Sequence, residues 1–433
     1  VDFARARARA ALFLATGLGK TRVGLELLAG TRGVVVAPLT TLLTWEAEAA
    51  KWGYAPPRLF TGNKRTLQLQ AWAMSQSDWL IVPYSRLAEF ARLCTTHIPV
   101  LIFDEAQFVK NWTAQRTKSA FALSKRAGRV YVLSGTPITN SLADTYGVYK
   151  PLGVWPESWW AFKNKYFTVG HFNEICAPKP GAEREILARV SPYTLIITRE
   201  QVGMNLPLVL EECPLPPSDE ERGFYNQIVR EHRINSPQNA FISFLTASKI
   251  LAGLRTACDG IVYHSAFGSV EQSAEVLIPV DRLTKTRALV ELLEASEVPT
   301  IIWVEWQAIQ SSLPRYLLEK GFPVVEGTSH ERVSRFLDKK AGILVVNPRV
   351  GGIGLNLQFA PRQIFFDLTD DLALYQQAIA RSHRQGATRT VEVSVLYLAG
   401  TVEQKILRCL KAKRTLQETI YEVLQELQEK GEE

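Results

Sequence analysis

Sulfur is scarce in this chain, and sulfur arranged to hold a metal is missing. The 433 residues include 5 cysteines and 2 methionines. Cys94, Cys176, Cys213, Cys258 and Cys409 contain no CxxC pair. That leaves neither zinc-ligand spacing nor a disulfide framework, and it favours a reducing, intracellular setting. No apolar run reaches the roughly 20 residues that a membrane span needs, and no signal-peptide pattern is visible. Solenoid repeats and low-complexity tracts are absent too, which excludes repeat arrays and disordered tails as the basis of the fold. Neither sign of charge dominates. The formal net charge of +7 is a modest basic excess, suited to a nucleic-acid partner and equally to a solvated surface.

What remains is the composition of packed globular domains. Hydrophobic residues make up 46% of the chain and there are 10 tryptophans. A chain of this length exceeds one core and fits two or three. It begins on Val1 rather than Met, as expected of a segment inside a longer chain.

The first third alternates short apolar runs with helical patterns. RGVVVAPL (32–39), DWLIVPY (78–84), PVLIFDEA (99–106) and RVYVLSGTP (129–137) read as buried strands, with helices over 41–52 and 113–127. This rhythm predicts a parallel sheet covered on both faces, with ligands at the carboxyl ends of its strands. Residues 138 to about 275 are aromatic-rich and read as mainly helical protrusions and a linker. Their tryptophans are better explained by core packing than by base stacking. A second alternating unit follows, with strands at 299–306, 322–328, 342–348, 362–368 and 391–399 and helices at 284–295, 307–320 and 372–383. Two such lobes imply a cleft between them. At the end, Val402, Ile406, Leu410, Leu416, Ile420, Val423 and Leu427 form one apolar stripe of a long helix packing back on the lobes. The expected division is therefore 1–140, 141–275, 276–400 and 401–433, in an α/β fold of two doubly wound parallel-sheet lobes.

Three places carry chemistry. LFLATGLGKTRVGLELL (12–28) holds Gly17, Gly19, Lys20 and Thr21 between an apolar strand and a helix. A glycine turn there aims backbone N–H groups and the helix dipole at an anion. Lys20 would reach the β/γ-phosphates, and the Thr21 hydroxyl would hold Mg2+. The full phosphate-loop pattern asks for glycine where Leu14 stands, so a plain strand-turn-helix joint is the competing reading. LIFDEAQFVKN places Asp104 and Glu105 at a strand end, one suited to bind Mg2+ and the other to deprotonate an attacking water. The alternative there is an acidic pair capping the next helix. QQAIARSHRQG (376–386) sets Arg381 and Arg384 three apart on one helical face, as contacts to a γ-phosphate or as a solvated basic face.

Taken in order, these segments resemble the Swi/Snf family of helicase superfamily two. GLGKT is similar to the family's nucleotide loop, which also lacks the leading glycine, and VVVAPLTTLLTWEAEAAKW resembles the segment after it. DEAQ stands for the usual DEAH, and LSGTPITNSLADTYGVYKPL is close to the family's coupling motif. NPRVGGIGLNLQFA and QQAIARSHRQGATRTVEVSVLYLAGTVEQKI match its second lobe.

The resemblance implies two RecA-like lobes and an ATPase that uses Mg2+ and translocates on double-stranded DNA, with a DNA-bound protein as a further partner. A monomer is expected, away from membranes, in the cytoplasm of a bacterial, archaeal or phage-infected cell, or in the nucleus if eukaryotic. It implies roles for Lys20 and Thr21 at phosphate and Mg2+, Asp104 at the metal, Glu105 at water, and Arg381 and Arg384 as arginine contacts. Gln107, Ser134, Gly135 and Thr136 would couple nucleotide state to movement. Gln377, Gly354 and Asn356 would line the cleft or touch nucleic acid, while Thr40, Thr41, Lys110, Asn111 and Thr328 would meet backbone phosphates. The chain departs from the family in three places. It has no adenine-contacting Gln upstream of the loop, Gln107 replaces His, and DLTDDLALYQQ replaces a Trp-Trp-Asn-Pro segment. Three rival functions stay open: a strand-separating helicase of the same superfamily, a nucleotide-gated DNA-binding subunit with little turnover, and branch remodelling or strand annealing by the same motor.

Overall fold

The computed structural model describes all residues except 16, 136–140, 171–174, 204–206, 232, 235–241, 244–246, 266–271, 296, 328, 350–356, 384–388 and 415–433. Two compact units divide it, one within Val1–Asn205 and one within Leu206–Ala412.

The first unit is built on seven parallel strands: β1 (Arg9–Leu14), β2 (Gly33–Ala37), β3 (Arg58–Leu59), β4 (Trp79–Pro83), β5 (Ile98–Phe103), β6 (Ala127–Ser134) and β7 (Thr194–Ile197). Their order across the sheet is β3-β4-β2-β5-β6-β1-β7. Both faces are buried, which is why the strands read as unbroken apolar runs rather than alternating ones. Val34, Val36, Leu101, Phe103, Val130 and Val132 enter one core. Their neighbours Val35, Ala37, Val100, Ile102, Tyr131 and Leu133 enter the other. The order sets β5, β6 and β1 side by side, so the loops after these three strands share one carboxyl edge.

The second unit carries a five-stranded parallel sheet of β8 (Leu208–Leu215), β9 (Thr300–Trp303), β10 (Ile343–Val346), β11 (Arg362–Phe365) and β12 (Val391–Leu398), in the order β8-β12-β11-β9-β10. Ile301 and Trp303 face one core, Ile302 and Val304 the other. A buried ion cluster links its elements. Lys285 donates to Asp259 at 2.7 Å and also bonds Glu403, which accepts the Leu398 amide at 2.9 Å. Burial works against the Lys285 ammonium, but Asp259 and Glu403 outweigh it and hold its pKa above the ordinary value.

Three expectations differ from the structure. FPVVEGT forms no strand: Val324 makes one isolated bridge to Ile343, because Pro323 has no N–H and Gly327 turns the chain at φ 123°. The helix expected over 372–383 stops at Ile379, whose carbonyl accepts from Gln363 Nε2 at 2.9 Å. Residues of 141–275 fall in both units rather than standing apart. Tyr146, Trp155, Phe162 and Tyr166 pack into the first core, β7 joins the first sheet at its edge and β8 joins the second. Of the terminal stripe, Val402, Ile406 and Leu410 are buried in the second unit. Leu416, Ile420, Val423 and Leu427 lie outside the described residues.

Most of the aromatic cluster is core, Trp160 being exposed, and a lysine lies inside it. Lys150 is 5% exposed. Its ammonium donates to the Trp155 and Glu157 carbonyls at 2.6 and 2.7 Å and faces the rings of Trp112, Phe121 and Tyr146. Cation–ring attraction and two carbonyl bonds replace the water the charge has lost. Lys150→Ala takes the lysine donor from the Trp155 carbonyl beside a void, while the Glu157 carbonyl keeps the Tyr146 hydroxyl at 2.8 Å. Urea unfolding should show the variant destabilised by about 3 kcal/mol.

Candidate functional site

β1 ends at Leu14, and its last side chain is buried. The position that the full phosphate-loop pattern fills with glycine is thus a strand residue of the core, upstream of the turn. The turn itself uses glycine where the backbone demands it. Gly17 and Gly19 sit at φ 95° and 77°, in the left-handed region that other residues enter at a cost. From Gly19 the helix Lys20–Leu28 departs, so its unpaired amides and dipole face the loop. Lys20 Nζ donates to the Leu14 carbonyl at 3.3 Å, and Thr21 is half-buried in the first turn.

Asp104 and Glu105 follow β5, two strands away across β6. Asp104 is 6% exposed. Its Oδ2 accepts the Trp45 indole N–H at 2.9 Å and its Oδ1 the Glu105 amide at 3.0 Å. The Asp104 carbonyl takes the Tyr84 hydroxyl at 2.8 Å. Burial pushes the Asp104 carboxyl up to about 7, helped by the Glu105 charge; the Trp45 bond, Lys20 and the Glu105 amide pull it back. Glu105 adopts φ 51° and ψ 59°, a left-handed conformation uncommon outside glycine and held by its surroundings. Gln107 Nε2 donates to Glu105 Oε2 at 2.8 Å, and Ser134 Oγ donates to Gln107 Oε1 at 2.8 Å. A polar chain therefore runs from the end of β6 to the Glu105 carboxylate, and Gly135 follows directly.

Of the other expected residues, Thr41 gives its hydroxyl to the Pro38 carbonyl at 3.0 Å. Lys110 closes the short helix Ala106–Val109. The Asn111 carboxamide oxygen accepts from Thr113 N and Oγ1 at 3.0 and 2.7 Å. In the second unit, Gln377 lies on the helix Leu372–Ile379, and Arg381 in the turn beyond it. The helix expected to carry both arginines ends before Arg381. Thr136, Thr328, Gly354, Asn356 and Arg384, and the side chain of Thr40, lie outside the described residues. Trp45 and Tyr84 were not among the expected site residues. An indole buried among apolar neighbours needs an acceptor, but no sequence spacing says which one.

Against this geometry, residues 14–259 match the model of the SNF2-related domain, and residues 284–386 that of the helicase conserved C-terminal domain. The chain belongs to the SNF2-related family. Among similar proteins, YwqA of Bacillus subtilis is 29% identical across 90% of this chain and 43% of its own length. The chromodomain-helicase-DNA-binding protein 1-like of Danio rerio is 25% identical across 94% of this chain and 41% of its own. The ATP-dependent DNA helicase DDM1 of Arabidopsis thaliana is 23% identical across 93% and 58%. The SNF2-related chain thus spans about half the length of these relatives. The solved SWI2/SNF2 ATPase core of Sulfolobus solfataricus in complex with dsDNA resembles it over 97% of this chain and 90% of that one, at 23% identity and a TM-score of 0.43. Among the described residues no helix is long and apolar enough to cross a membrane.

The raised Asp104 pKa has a consequence for stability. Between the unfolded value near 3.8 and the folded value of about 7, the folded state holds the proton more tightly. Rising pH across that window therefore removes stability, by up to about 1.4 kcal/mol per pH unit. Asp104→Asn has no such proton to lose. Thermal unfolding of the free protein at pH 5 and pH 8 should show the variant gaining relative to the parent as pH rises.

Proposed function

We propose that this chain is the motor of an ATP-driven translocase on double-stranded DNA. The observation that carries the reading is the meeting, at one sheet edge, of the Gly17–Thr21 loop and a buried, incompletely compensated carboxylate at Asp104. Loop amides and the Lys20 ammonium bind the β- and γ-phosphates of ATP. The Thr21 hydroxyl and the Asp104 carboxylate are hard oxygen donors fitted to Mg2+, and burial of Asp104 beside a single lysine charge leaves room for a divalent cation. When bound, that ion neutralises charge on the phosphates. Glu105 accepts the proton of the attacking water, and its strained backbone and its bond to Gln107 set where the carboxylate stands.

Gln107 and Ser134 connect that base to the end of β6, a route by which nucleotide state reaches the rest of the chain, and Gly135 and Thr136 share this coupling role. Arg381 and Arg384 are the arginine contacts to the γ-phosphate that the family resemblance implies. Thr40, Thr41, Lys110, Asn111, Thr328, Gly354, Asn356 and Gln377 meet nucleic acid or line the site. The domain division follows the two sheets, and the partner is a DNA duplex bound through its phosphates without sequence readout. Relatives named as ATP-dependent DNA helicase and helicase-DNA-binding protein support this reading.

ATP hydrolysis measured without nucleic acid, with duplex DNA, with single-stranded DNA and with RNA tests it. Duplex DNA should stimulate strongly, and added salt should weaken the stimulation. Glu105→Gln should lower turnover by roughly 10²–10⁴-fold while nucleotide binding persists. Preference for single strands, together with strand displacement, would instead assign a strand-separating helicase. Binding of ATP and DNA without turnover would assign a nucleotide-gated subunit.

A further inference from the structure

Trp45 lies on the helix Leu42–Lys51 and is fully buried. Its ring is confined on several sides. On the phosphate-loop helix, a Cβ at Gly24 would stand 2.4 Å from the ring's Cη2, so only glycine leaves the indole its place. Trp79 packs at 5.9 Å and 56°, itself anchored by its N–H to the Ala55 carbonyl at 2.9 Å. A ring so enclosed cannot turn its N–H elsewhere without moving its helix, so the bond to Asp104 Oδ2 has a set direction.

Burial of an indole does not by itself require a carboxylate partner. Trp72, Trp79 and Trp155 satisfy their N–H groups on the backbone carbonyls of Gly33, Ala55 and Thr145. Trp45 reaches across 59 residues to Asp104 instead. With the Glu105 amide on Oδ1, each carboxylate oxygen holds one neutral donor. A carboxylate has about four acceptor sites, so two donors orient the group and leave capacity for a cation. We infer that Trp45 is a positioning residue for Asp104: its N–H sets the carboxylate for a divalent cation carried with a nucleoside triphosphate, and its contact with Gly24 ties that setting to the phosphate-loop helix. Outer-shell donors of this kind change metal affinity by about 10–100-fold.

The inference rests on the nucleotide-site reading above, and the test separates the two. Binding of a fluorescent, non-hydrolysable ATP analogue to the full chain is measured in Mg2+ and in EDTA. Trp45→Phe removes the donor with part of the ring. Trp45 replaced by 3-benzothienylalanine keeps the ring's shape and exchanges N–H for sulfur, and it decides the matter if the Phe variant does not fold. Trp79→Phe controls for loss of aromatic packing. Both Trp45 replacements should cut the Mg2+-dependent gain in affinity by about 10-fold or more and leave EDTA binding, held by Lys20 and the loop, unchanged. Trp79→Phe should keep the gain. An undiminished gain in the benzothienyl variant, or an equal loss in Trp79→Phe, overturns the positioning role alone. No Mg2+-dependent gain in the parent overturns the nucleotide-site reading and this inference together.

Discussion

A carboxylate kept almost dry at the end of β5 is the constraint around which the first unit is arranged. Removing water from an ionised Asp is costly, and the surroundings of Asp104 offset that cost only in part. One indole, one amide and the field of Lys20 favour the charged form, yet burial and Glu105 still raise its pKa to about 7. Each of these groups comes from a different segment: Trp45 from the helix after β2, Lys20 from the start of the helix after β1, Glu105 from the turn after β5. The sheet order β5-β6-β1 makes their convergence possible. The fold and this one group are joined, because the strand order that brings the three segments together is also what keeps the carboxylate buried.

The second unit meets its own buried charge differently. Lys285 sits between Asp259 and Glu403 with all three side chains nearly inaccessible. The attraction is strong enough to hold the ammonium protonated despite burial. Asp259 comes just after the helix Ala247–Ala257, Lys285 from the helix Thr284–Glu294, and Glu403 from the segment after β12. The cluster ties three separate stretches of the unit at one point. Its carboxylates are already engaged by lysine, which distinguishes it from Asp104. Arg255 and Glu305, paired at 2.5 Å beside Asp370, extend the same pattern of internal pairing toward the ends of β9 and β11.

Much of this was legible in the residues. Apolar runs bounded by turn residues located β1, β2, β4, β5, β6, β9, β10, β11 and β12, because a strand buried on both faces cannot hide among polar neighbours. The loop and acid-pair residues were legible for a related reason: glycine at left-handed positions and paired carboxylates at a strand end have few structural uses. Two edge strands, β7 and β8, were not legible. β8 is half-exposed along its length and β7 spans only Thr194–Ile197, so each resembles linker until a neighbouring strand pairs with it. FPVVEGT failed in the other direction, since its valines are buried as a strand's would be while Pro323 denies the ladder a donor.

The sequence by itself determined the class of the buried strands and of most helices, the two-sheet division of the chain and the residue types gathered at the carboxyl edge of the first sheet. These depend on local periodicity, on backbone geometry and on chemistry that a single residue carries. Only the tertiary structure decided which partners those residues received. Gln107 stands between Glu105 and Ser134, Trp45 finds Asp104 across 59 residues, Lys150 is enclosed by aromatic rings, and Arg381 lies beyond its helix. Such pairings follow from which strands lie side by side and which rings fill the space between helices, and no periodicity along the chain encodes either.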